Sequence, residues 1–123
     1  MANLLIVDDE LGMRQFLTHL FQREGHVVRV AGNGSEAIEQ MQQQAPDLII
    51  SDIRMPDMDG VELLRTARGL LPEVEVIMMT AFANVDTARE AFLLGAYDFV
   101  QKPFDNDLLK ETVARALDKI ALV

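Results

Sequence analysis

Cysteine is absent from this chain. That excludes disulfides, thiolate metal sites and a cysteine nucleophile, and leaves no sign of an oxidising compartment. Positive charge is scarce: 11 Lys and Arg stand against 20 Asp and Glu, a formal net charge of −9. Direct nucleic-acid binding needs a basic face to replace phosphate counterions, so the balance argues against it here, though not for another domain of a longer protein. Long hydrophobic runs are missing too; none approaches the roughly 20 apolar residues of a membrane-spanning helix. Met1-Ala2-Asn3-Leu4 lacks the basic start of a signal peptide, and a cytoplasmic protein with no membrane partner is the expectation. No linker, repeat or low-complexity tract interrupts residues 1–123, a length that suits one domain with one well-formed core.

What is present is a regular alternation. Leu4-Leu5-Ile6-Val7 reads as a buried strand and runs into Asp8-Asp9-Glu10. Met13, Phe16, Leu17, Leu20 and Phe21 recur at helical spacing between about Glu10 and Glu24, with Gly25 to close the helix. His26 to Val30 is a short second strand. Asn33 with Glu36 three positions on is a capping-box pattern, opening a helix to about Gln44 that Ala45-Pro46 stops. Leu48-Ile49-Ile50-Ser51-Asp52 is a third strand ending in a carboxylate. A helix from Gly60 to Arg68 carries Val61, Leu64 and Ala67 inward and is expected to end at Gly69. Val74 to Met79, reaching Thr80, is a fourth strand. Asn84 is expected to cap a helix to Leu94, closed by Gly95. Tyr97 to Gln101 is the fifth strand, ending at Lys102-Pro103. Asp105 caps a last helix with Leu109, Val113, Ala116, Leu117 and Ile120 as its buried stripe.

Five strand–helix units imply a parallel sheet with right-handed crossovers and helices on both faces. The common order for such a doubly wound, flavodoxin-like α/β (βα)5 sheet is 2-1-3-4-5, with ligands bound outside the carboxyl ends of strands 1 and 3. Those are the strands that end in Asp8-Asp9 and Asp52.

Taken singly, these polar residues have plainer readings: aspartates after strands are commonly solvated turns, and a lone Thr or Lys is commonly structural or surface. Coincidence outweighs this, because acid, acid, hydroxyl and lysine fall at one edge of one sheet. Crowded carboxylates need a raised pKa or a cation. With oxygen-only donors and no His or Cys nearby, Mg²⁺ fits better than Ca²⁺ or Zn²⁺. Lys102 would pair with Asp52 or with a phosphoryl oxygen, and Thr80 can donate its hydroxyl to that oxygen. His19 and His26 lie away from this edge and read as structural or surface.

Val7-Asp8-Asp9-Glu10, Ser51-Asp52-Ile53-Arg54-Met55-Pro56-Asp57-Met58-Asp59-Gly60, Met79-Thr80-Ala81 and Gln101-Lys102-Pro103-Phe104 together resemble the receiver domain of two-component response regulators over the whole chain. Thr80 to Ala88 with Gly95-Ala96-Tyr97-Asp98-Phe99 resembles most the receivers of transcriptional activators that work with the alternative nitrogen sigma factor. The resemblance implies that Asp52 accepts a phosphoryl group from phosphohistidine on a sensor kinase. It implies Mg²⁺, with Mn²⁺ as a substitute, held by Asp9, Asp52 and the backbone carbonyl of Arg54, with Asp8 acting largely through water. Thr80 and Lys102 would hold the phosphoryl oxygens, and Phe99 would be the aromatic switch residue coupled to Thr80. Phe99 replaces the family's more frequent Tyr, so a switch here would rest on packing. The bond before Pro103 would be cis. Arg54 and Phe82 occupy the positions that tune phosphoryl lifetime, and both are large, which would hinder water. The output face would be the fourth helix, fifth strand and fifth helix, also a surface for a phosphorylation-dependent homodimer. A covalently linked output domain is expected, the chain being the N-terminal part of a longer regulator, and the domain would be no turnover enzyme.

Three rivals are weaker. An aspartyl-phosphate phosphatase of the haloacid-dehalogenase type needs a second Asp two residues after the nucleophile, where Arg54 stands. A nucleotide or flavin module wants a Gly- or Ser/Thr-rich loop after the first strand, and Asp8-Asp9-Glu10 would repel a phosphate there without metal. A phosphorylation-independent interaction module has no need of intact Asp52, Thr80 and Lys102.

Overall fold

A computed structural model describes residues 2–55, 57–80 and 85–121. Its elements alternate as β1 (Asn3–Val7), α1 (Leu11–Gln22), β2 (Val27–Ala31), α2 (Gly34–Gln43), β3 (Leu48–Asp52), α3 (Gly60–Leu70), β4 (Glu75–Thr80), α4 (Val85–Leu93), β5 (Asp98–Gln101) and α5 (Asn106–Ala121). All strands are parallel and the order is β2-β1-β3-β4-β5, the doubly wound flavodoxin-like order expected from the alternation. No helix among the described residues is long and apolar enough to cross a membrane.

Side chains alternate across the sheet, so each strand feeds two cores. Leu4, Ile6, Leu48, Ile50, Ile77 and Met79 meet Leu17 and Phe21 of α1 and Leu109, Val113 and Ala116 of α5. Leu5, Val7, Ile49, Val76 and Met78 meet α2, α3 and α4 on the other face. β3 is buried along its whole length, which is why its sequence is almost continuously apolar. Each large aliphatic residue buried in this way contributes about 1.5–3 kcal/mol, enough to hold the strand ends at a fixed register.

Several local readings change. Phe16 is 41 % exposed, while Leu17 and Phe21 are buried and Met13 and Leu20 half-buried, so α1 sinks a narrower stripe than its periodicity offers. The third helix does not end at Gly69 but runs to Leu70, capped by the Leu71 N–H bonding the Ala67 carbonyl. The stop signal is Pro72, which disfavours helical backbone at Leu71. α1 stops at Gln22 rather than near Glu24, and β2, β4 and β5 each begin one residue later than expected. Gly25 and Gly95 close α1 and α4 at φ 89° and 94°, a region costly for any residue with a Cβ. Asn33 and Asp105 cap α2 and α5 as expected, Asn33 accepting from the Glu36 N–H at 2.9 Å and Asp105 from the Asp107 and Leu108 N–H groups. The expected Asn84 cap lies outside the described residues, as does the side chain of Ile120.

Candidate functional site

Register alone assembles the site. Val7 is level with Ser51, so Asp8 and Asp52 come level with each other on neighbouring strands at the same edge. Asp52 is level with Met79, so Thr80 follows by one step; Thr80 is level with Gln101, so Lys102 follows it. The polar residues expected at strand ends therefore meet at the carboxyl edge.

Lys102 is their hub. Its Nζ donates to Asp8 Oδ2 at 2.8 Å and to Asp52 Oδ2 at 2.9 Å. Each aspartate turns its other oxygen back on its own loop: Asp8 Oδ1 accepts from the Glu10 N–H at 2.9 Å, and Asp52 Oδ1 from the Arg54 N–H at 3.0 Å. Both are Asx turns, a local geometry to which Asp is suited. The Arg14 guanidinium binds the Asp8 carbonyl at 2.7 Å and braces the end of β1. The two aspartates differ in access, the Asp8 side chain being fully buried and that of Asp52 a tenth exposed. Asp9 is exposed. Carboxylate oxygens of Asp8, Asp9 and Asp52 lie within 4.8 Å of one another.

Burial pushes the Lys102 ammonium toward its neutral form, but hydrogen bonds and charge from Asp8 and Asp52 outweigh it and raise its pKa above the usual lysine value. Three carboxylates against one ammonium leave a net two negative charges among these four groups. An all-oxygen, negatively charged cluster at an open edge suits a hard divalent cation, so the residues present fit Mg²⁺.

Thr80 is buried at the end of β4, and Phe99, half-buried, packs against the core of the α3–α4 face. The Arg54 side chain is exposed beside Asp59 and Glu90 at a groove of about 210 Å³. Phe82 lies outside the described residues. The Lys102–Pro103 bond is cis. His26 is structural, its Nδ1 accepting from the Ala2 N–H at 3.3 Å, and partial burial lowers its pKa. His19 is exposed. A larger hollow of about 460 Å³, between the 45–47 and 70–74 segments, lies at the opposite edge, away from these groups.

The loop between β3 and α3 holds two residues that the sequence reading passed over. Asp59 caps α3, accepting from the Glu62 N–H at 2.8 Å. Asp-x-x-Glu is the same capping signal recognised at Asn33, so it was available. Asp57 accepts from the Gly34 N–H (3.0 Å), the Ser35 N–H (3.0 Å) and the Ser35 hydroxyl (2.8 Å) at the start of α2. These bonds, the Gly34 N–H first, hold its carboxyl below the ordinary aspartate range. No local pattern announces a cap 22 or 23 residues away in sequence.

A family model described as the response regulator receiver domain matches residues 4–114. The chain is 45 % identical over 114 residues to the regulatory protein AtoC of Escherichia coli K12, covering 93 % of this chain and 25 % of that protein. It is 40 % identical to the transcriptional regulatory protein ZraR of Klebsiella oxytoca, covering 94 % and 26 %. A crystal structure of NtrX from Brucella abortus superposes with a TM-score of 0.92 at 36 % identity, over 98 % of this chain and 28 % of that one. The chain thus spans about a quarter of the length of these relatives.

Proposed function

Because the chain belongs to the response regulator receiver family, we propose that it is the phosphoacceptor domain of a two-component system and that Asp52 is the acceptor. One observation carries the choice of residue: of the two carboxylates that Lys102 bonds, Asp52 alone reaches solvent. An Asp52 oxygen attacks the phosphorus of a phosphohistidine on a sensor kinase. The O–P bond forms as the P–N bond breaks, and the imidazole leaves, taking up a proton. Such transfers are mostly a matter of positioning and charge stabilisation.

The chain's own groups supply most of this. Arg54's N–H fixes Asp52 Oδ1 and so orients the carboxylate. Lys102 already touches Asp52 Oδ2 and would exchange that contact for a phosphoryl oxygen, while the Thr80 hydroxyl would donate to another. Asp9, Asp52 and the Arg54 carbonyl would hold Mg²⁺ or Mn²⁺. Asp8, whose side chain is fully buried, would contribute through water. A bound dication would neutralise charge on the phosphoryl oxygens. The aspartyl phosphate brings roughly −1.5 to −2 charge and draws Thr80 and Lys102 inward, biasing β4, β5 and the packing of Phe99.

The readout would be the α4–β5–α5 face, where Phe92 and Leu93 are 51 % and 77 % exposed, and it would serve an output domain or a phosphorylation-dependent homodimer. Transcription is the output we favour, since ZraR is a transcriptional regulatory protein. Position 54 holds Arg where a turnover phosphatase would want an acid, so the phosphoryl group is retained as a signal rather than rapidly discharged. Arg54 and Phe82 lengthen its lifetime by hindering water; an Arg54→Asn variant that dephosphorylates no faster would refute this. Incubation with acetyl phosphate and Mg²⁺ tests the acceptor. The intact mass gains one phosphoryl group in the wild type and none in Asp52→Asn; an unchanged wild-type mass or an equally shifted variant would refute it.

A further inference from the structure

We propose that Asp57, which nothing in the chemistry above requires, is a positioning residue for the cation and phosphoryl site; the inference rests on the reading of that site as a Mg²⁺-assisted phosphoacceptor. The loop from Ile53 to Asp59 begins at Asp52 and carries the Arg54 backbone. Its start is tied to the sheet by the Ile53 N–H on the Met79 carbonyl at 3.0 Å, and its end by the Gly60 N–H on the Ile53 carbonyl at 2.7 Å. Gly60 must be glycine there, because a Cβ would stand 2.7 Å from the Asp52 carbonyl oxygen. Between these ties Asp57 fastens the loop to α2.

The fastening is specific. Asp57 Oδ1 takes the Gly34 N–H, and Oδ2 takes both the N–H and the hydroxyl of Ser35. Beside it Met58 fills the space a Cβ at Gly34 would need, its sulfur 2.8 Å from that point. α2 already has its own cap in Asn33, which satisfies the Glu36 N–H. A helix start leaves four N–H groups open, and Asp57 takes two that Asn33 leaves. The carboxylate also favours the positive end of the helix dipole. The helix therefore has one cap that serves only itself and a second that spends its bonds on the loop beside Asp52. Arg54 lies between the sheet tie at Ile53 and the helix tie at Asp57, so the direction of its carbonyl depends on both.

Mg²⁺ titration followed by backbone amide NMR distinguishes positioning from helix capping. Asp57→Ala should weaken Mg²⁺ binding about tenfold, at the low end for residues that support metal ligands. It should raise the Mg²⁺ needed for half-maximal phosphorylation by acetyl phosphate while leaving the rate at saturating Mg²⁺ unchanged. Asp57→Asn, which keeps one acceptor oxygen, should fall between. Asn33→Ala, which frays the same helix start without touching the loop, should bind Mg²⁺ as the wild type does. Wild-type affinity in Asp57→Ala, or equal weakening in Asn33→Ala, overturns the inference and leaves the proposed function standing. A wild type that binds no Mg²⁺ overturns both.

Discussion

At the carboxyl edge of the sheet Lys102 lies 2.8 Å from Asp8 and 2.9 Å from Asp52, with a tenth of its side chain exposed. At the amino edge Lys119 lies 3.5 Å from Glu75 with 61 % of its side chain exposed, its ammonium 5.7 Å from the Tyr97 ring centroid. The same pair of functional groups is used in two ways. Around Lys102, strand register brings further carboxylates close enough that the lysine is shared and negative charge is left over. Around Lys119 one carboxylate meets one solvated cation, and Glu75 Oε2 has no partner. Excess negative charge at the carboxyl edge suits a cation; a screened pair at the start of a strand ties α5 to β4.

The comparison breaks most visibly at Lys102. Lys102→Met strands two carboxylates that are at least nine-tenths buried, and should cost about 3 kcal/mol in urea unfolding with chelator present. Mg²⁺ should restore part of that loss, since a ligand of the folded state stabilises it by mass action. The difference from wild type has a pH signature. Lys102's folded pKa is raised, so its contribution is complete below the unfolded value of 10.5 and is lost as pH rises through the folded one. The gap between wild type and Lys102→Met should therefore close only at strongly alkaline pH.

Glu75→Met should do the opposite on a smaller scale. It removes an orphaned buried oxygen and a screened ion pair, so stability should be unchanged or rise by up to about 1 kcal/mol. A loss of Lys102→Met size would show that the two edges are alike after all. The smallest effect belongs to Asp57. Its folded pKa is depressed, so its contribution is complete above the unfolded value of 3.8 and fades as pH falls through the folded one. The stability difference between wild type and Asp57→Asn should shrink on acidification below that value.

Much of the carboxyl edge was legible because strand periodicity and strand ends are local features. Apolar runs ending in Asp8, Asp52, Thr80 and Lys102, joined to a parallel order, place four groups at one edge with no knowledge of side-chain positions. The division of labour between the aspartates was not legible. That Asp8 is fully buried while Asp52 keeps a tenth of its side chain exposed depends on what packs over them, which no single segment encodes. Asp57 stayed hidden because its partners are in α2, and Phe16 misled because a helical repeat shows which residues could be buried, not how many the neighbouring elements will cover. Gly69 misled as a stop signal while Pro72 acted as one, backbone sterics deciding where a local preference only suggested.

The central claim is that one carboxylate of this chain, at the open side of the Lys102 hub, is the phosphoacceptor. Borohydride reduction after acetyl phosphate and Mg²⁺, followed by peptide mapping, tests it at residue level, since hydride replaces the acyl phosphate and leaves a permanent mark. The account predicts reduced residue at Asp52 alone, with Asp8, Asp9 and Glu75 untouched. Reduction at any of those three, or none at Asp52 in phosphorylated protein, would contradict it.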